Sequence, residues 1–411
     1  MLLAACTTTP RTSTPTRPAP SPAAGPTSPG TNPLCDYPPE KPVPAPSSPA
    51  VSPLIAAISE QVEAVRGLTF VHPVAPEAAA PATVARLLRT AADASLPADL
   101  EARRARAWET IGVIPPSTDL RRALLSYFTT QIIGFYDTLS HTLVFEGSAA
   151  PTPFERMTLA HELTHALDDQ RFDLSREDHL ALTCQDDRAD AFSSLAEGDA
   201  VETSVRWSAS NLTPVQRAEL QLEAGSHPPP PASIPAFVLQ MEGFPYPNGQ
   251  RFVEALLARG GEPAVDAAFR NPSVSIEQIL YPDRYPGDRP VPVSVSDLST
   301  ALGPGWRLTD QMDAGEGFLQ LMLRLRLSFT EADDAAAGWG GGRYRAWSDG
   351  PAEAVLLETV WDTGGDATAF GAAMRAWLGA AVARVEQRGL AVNVLFGSDA
   401  PTLRRLEAAA G

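Results

Sequence analysis

Two histidines four residues apart with a glutamate beside the first, His161-Glu162-Leu163-Thr164-His165, restrict this chain more than any other stretch. A helix advances about 100° per residue, so positions i and i+4 stack with Cβ atoms roughly 6 Å apart. Both imidazoles can then reach one metal ion at about 2.0–2.1 Å. Glu162 points beside that ion, where its carboxylate can take a proton from a water whose pKa zinc lowers from about 15.7 to near 7. With six histidines in 411 residues, chance alone places this spacing in roughly one chain in two hundred, so coincidence is the weaker explanation.

The flanks predict the helix. Thr152 is an N-cap, Pro153 occupies the first helical position, and Glu155 closes a capping box. Phe154, Met157, Leu159, Leu163, Ala166 and Leu167 recur at three- and four-residue intervals, which reads as an amphipathic helix with a buried apolar face.

At 44% hydrophobic the chain can bury a large core, and its length suggests two or three domain-sized pieces. A formal charge of −17 repels nucleic-acid phosphates and anionic lipid headgroups alike, which argues against nucleic-acid partners and against electrostatic membrane binding. No apolar run reaches the eighteen residues of a transmembrane helix. Residues 1–6 end in Leu3-Ala4-Ala5-Cys6, resembling a truncated lipoprotein signal whose Cys6 would be acylated, although only Met1 and Leu2 precede the box. Residues 7–50 are Pro-, Ser- and Thr-rich, with fourteen of the forty prolines in the first fifty positions. Such a composition cannot bury a core and is expected to form a disordered tether. If Cys6 carries lipid, Cys35 and Cys184 remain as a candidate disulfide in an oxidising compartment, with two free thiols as the alternative.

Helical patterns are expected over residues 52–67, 81–93, 97–111 and 120–128, with a short extended stretch at 69–74. Residues 131–146 read as a β-hairpin leading into the motif helix. After a charged loop, a further helix is expected over 187–208; a proline-rich break at 227–235 precedes the segment 237–242, and another helix is expected over 250–259. The Pro- and Asp-rich segment 281–293 reads as a boundary between a mainly helical part, 51–290, and a C-terminal α+β subdomain, 291–411. In the latter, a helix over 315–327, strands at 344–347 and 354–361, a helix over 366–388 and a strand at 390–396 give a βαβ-like order.

A metal held by two histidines and water is one protein ligand short. Asp168 and Arg171 occupy the positions where a metzincin continues with Gly and His, which excludes that class. Glu197 lies on the edge of the next helix's apolar stripe. Asp190 is its rival, or else a partner that orients a histidine ring. His179 is a weaker candidate. Tyr136, Tyr246 and Tyr281 are candidate donors to a developing oxyanion.

Leu159-Ala160-His161-Glu162-Leu163-Thr164-His165-Ala166-Leu167-Asp168-Asp169-Gln170 and Ala196-Glu197-Gly198-Asp199-Ala200 resemble a group of bacterial gluzincin-type zinc metallopeptidase lipoproteins. Gly134-Phe135-Tyr136-Asp137, Ser275-Ile276-Glu277-Gln278-Ile279-Leu280-Tyr281-Pro282 and Gly338-Trp339-Gly340-Gly341 extend the likeness from about residue 52 to the C-terminus. The resemblance implies an α+β, zincin-like fold and one Zn²⁺ held by His161, His165 and Glu197, with Glu162 as general base. Val201 departs from the thermolysin-like pattern, which has an aspartate there. The expected function is a zinc peptidase acting on protein or peptide, anchored outside the cell through Cys6. The competing expectations are a non-catalytic zinc-containing envelope module, and an esterase or amidase of the same mechanism.

Overall fold

A computed structural model describes residues 34–35, 53–95, 97–147, 150–379 and 381–411, with the side chains of 94 and 95 excepted. Cys6, the 1–6 signal and most of the 7–50 tether lie outside the described residues. The chain is α+β, with helices dominating the first part and two sheets.

The motif helix runs Pro153–Phe172, and its start is the expected capping box: Thr152 accepts from the Glu155 N–H while Glu155 accepts from the Thr152 N–H. It is buried on nearly all sides, not on one stripe, because Glu162, Thr164, Asp168 and Asp169 are buried along with its apolar residues. Leu159, Ala160, Leu163 and Leu167 pack with Ile58 and Val62 of the first helix, Pro53–Arg66, and with Trp207 of the 26-residue helix Asp186–Asn211. That long helix carries Glu197 and is called the ligand helix below.

The first sheet has β1 (Glu77–Ala79) parallel to β3 (Thr142–Glu146), with β2 (Gly134–Asp137) antiparallel on the other side of β3. The expected hairpin is therefore β2–β3. β1 was not expected, and residues 69–74 form no strand. β2 lies directly on the motif helix: a Cβ at Gly134 would stand 3.1 Å from Thr158 and 3.3 Å from Glu162.

The C-terminal sheet, in order β4 (Arg307–Asp313), β5 (Trp339–Asp349), β6 (Ala352–Trp361), β8 (Ala391–Gly397), β7 (Ala383–Arg388), pairs antiparallel throughout. This corrects the βαβ-like order. It also corrects the helix expected over 366–388, which ends at Leu378 before Gly379 at φ +55°, with β7 following. One sheet face, with Tyr344, Val355, Leu357 and Val394, joins the core of the helical part. The other, with Trp347, Leu356 and Leu395, is covered by the C-terminal helix Ala400–Ala410 through Leu406. Cys35 and Cys184 are joined by a disulfide.

Candidate metal centre

His161 and His165 lie one turn apart on the motif helix, and Glu197 reaches them from the ligand helix. Their ligand atoms form a nearly equilateral triangle: His161 Nε2 to His165 Nε2 3.1 Å, His161 Nε2 to Glu197 Oε2 3.2 Å, and His165 Nε2 to Glu197 Oε2 3.4 Å. A tetrahedral ion with bonds of about 2.0–2.1 Å separates its ligands by about 3.3 Å, so one face of such a tetrahedron is preformed here. Among the described residues, buried Glu197 Oε2 has only the two imidazole nitrogens near it and no well-aligned hydrogen bond, an arrangement that costs free energy unless something else satisfies the oxygen. The donor set, two imidazoles and a carboxylate, fits zinc. The two histidines hold the Glu197 carboxyl below its usual range, against the upward pull of burial.

Glu162 stands beside this triangle. Burial pushes its carboxyl up to about 7, the Glu197 charge adds to that, and His161 and the Tyr136 backbone N–H oppose it. The last contact explains why β2 lies on the motif helix: its backbone faces the glutamate.

The helix Pro245–Gly260 closes a third side. It crosses the ligand helix in backbone contact, since a Cβ at Gly198 would stand 2.1 Å from the Gly249 carbonyl carbon, and one at Gly249 1.7 Å from the Ser194 oxygen. That crossing brings Tyr246, one turn before Gly249, over His161: the two rings stack at 6.3 Å and 24°. The Glu197 charge, then burial, drives the Tyr246 hydroxyl well above its ordinary pKa. Tyr246 is thus the one of the three candidate tyrosines placed at the triangle. Tyr136 donates its hydroxyl to Asp169 Oδ2 at 2.8 Å, and Tyr281 donates to Glu316 Oε1 at 2.9 Å.

Asp190 makes no hydrogen bond to either histidine. Burial raises its carboxyl to about 7, Asp186 adds to this and Arg104 opposes it. His179 lies on a short helix, Arg176–Leu182, where a charged loop was expected, and is not among the converging ligands. Sequence reasoning missed Tyr127 and Glu242. Burial raises both, and the Glu197 charge contributes to each. Neither sits in a motif, and only the packing of their helices reveals them.

Among the described residues, His161, His165 and Glu197 form the one group of three such side chains able to share an ion. Residues 306–406, from the residue just before β4 to Leu406, match a family described as a domain of unknown function (DUF8575). That match covers the C-terminal sheet and includes none of His161, Glu162, His165 or Glu197. No curated protein matches the chain, and no solved structure does.

Proposed function

We propose that this chain is a zinc-dependent hydrolase with a zincin-like helical core, acting on peptide bonds. The observation that carries the reading is the triangle of His161, His165 and Glu197, with edges of 3.1–3.4 Å and Glu162 beside it. Zinc bound there would supply a Lewis acid and a water acidic enough to act near neutral pH. Glu162 accepts the proton of the attacking water and can return it to the leaving amine. Tyr246, over His161, is positioned to donate to a developing oxyanion. A purely structural zinc site fills all four positions with protein atoms. Among the described residues three converge, which favours the hydrolase over the binding module. The Cys35–Cys184 disulfide supports placement in an oxidising compartment outside the cytoplasm, with Cys6 as the proposed lipid anchor.

The test is metal content after dialysis against trace zinc, read beside hydrolysis of a mixed peptide library. Wild type should retain one zinc per chain and Glu197→Ala should lose it. A wild type that holds zinc but cleaves no peptide would return the reading to a binding module.

A further inference from the structure

Arg66 is the last residue of the first helix and has no exposed surface. Its guanidinium meets four carboxylates from three other helices. Nε lies 2.6 Å from Asp199 Oδ2, Nη2 3.4 Å from Asp168 Oδ1, and Nη1 2.8 Å from Asp266 Oδ1 and 3.1 Å from Glu262 Oε2. Its carbon also lies 5.9 Å from the ring centres of both Phe172 and Phe269, which stack on each other. Two of these partners sit next to the metal centre along the chain. Asp168 follows His165 by three residues, and Asp199 follows Glu197 by two. At about 1.5 Å rise per residue, each contact grips its helix within about 5 Å of a ligand.

Burying an arginine is costly, and a buried ion pair is a poor source of net stability. What the planar guanidinium adds is geometry, because its fixed fork holds several acceptors in set directions at once. We propose that Arg66 is a positioning residue for the metal centre. It links the motif helix, by the ion pair to Asp168, to the ligand helix, by the hydrogen bond to Asp199, and so sets the distance between the histidine pair and Glu197. This rests on the zinc reading above. Where a thermolysin-like chain would use an aspartate at position 201, this chain has Val201, and the ordering of the ligands comes from the first helix instead. The Glu262 and Asp266 arms hold the helix Glu262–Arg270, which carries no ligand.

That asymmetry supplies the test. Zinc affinity is measured by competition with a chromophoric chelator on full-length protein, with folding followed by circular dichroism. Arg66→Lys, which keeps the charge and loses the fork, and Asp199→Asn should each weaken zinc binding about 10–100-fold while remaining folded. Glu262→Gln should lower the thermal midpoint and leave zinc affinity within about twofold. If Arg66→Lys does not fold, the comparison of Asp199→Asn with Glu262→Gln decides. Equal effects of those two on zinc affinity, or a folded Arg66→Lys that binds zinc as wild type does, would overturn the positioning role alone. A wild type that takes up no zinc overturns both this role and the hydrolase reading.

Discussion

Glu162 and Glu197 are the same chemical group in two settings, and the difference is the one their proposed tasks require. Glu197 is held below its usual range by two histidines, which suits the ligand role proposed for it, whereas burial draws Glu162 up to about 7, which suits the proposed base that takes and returns a proton. Glu162→Gln keeps the size and much of the hydrogen bonding, so zinc content and folding should survive while hydrolysis falls about 10²–10⁴-fold. Undiminished cleavage in samples matched for zinc would assign the base elsewhere. Tyr246→Phe should likewise retain zinc and lose about 10²–10³ in kcat, the typical cost of one oxyanion donor. An unchanged kcat would reduce Tyr246 to a packing residue. Asp190→Ala, with no contact to a histidine to lose, should leave zinc affinity within about twofold. A 10–100-fold loss would restore it as an orienting partner.

At the scale of elements, the crossing of the ligand helix and Pro245–Gly260 depends on two glycines. Gly198→Ala forces a methyl into the Gly249 backbone and should destabilise the protein by about 1–3 kcal/mol or more in denaturant unfolding. Gly364→Ala, where nothing lies within 4 Å, is the matched control and should change stability by less than about 0.5 kcal/mol. Equal costs would mean that the helices can part freely. The motif helix, its capping box and the β2–β3 hairpin were legible in the sequence because each rests on local spacing. Residues 383–388 were not, since Ala, Val, Glu, Gln and Arg also suit a helix. They become a strand by pairing with β8 across the turn at Gly389, although Gly379 was a stop signal that could have been read. That Glu197 comes beside His161 and His165 was legible from its place on a helix face. Arg66 was not, because a contact across 133 residues leaves no periodic trace.

Across the whole molecule, many carboxyls are buried with their pKa raised, and this sets a direction for stability against pH. Burial pushes Glu353 up to about 7 against the opposing charge of Arg106, Glu242 also reaches about 7, and Asp178 reaches about 6. Between their ordinary values, 4.5 for the glutamates and 3.8 for Asp178, and the raised values of about 7 and about 6, the folded chain holds protons that the unfolded chain has released. Stability contributed by these groups is therefore complete below that window and lost as pH rises through it. The thermal midpoint of the metal-free protein should climb as pH is lowered from 8 to about 5.5. A flat or falling midpoint would show that these groups ionise freely. The Cys35–Cys184 disulfide has a further, mechanical consequence. It is a covalent shortcut from residue 35 to the start of the ligand helix, so a pull applied to the chain ahead of Cys35 bypasses residues 36–52 and the first helix. Through that bond the load reaches the molecule at Cys184, two residues before the helix that carries Glu197, and reduction would remove this route.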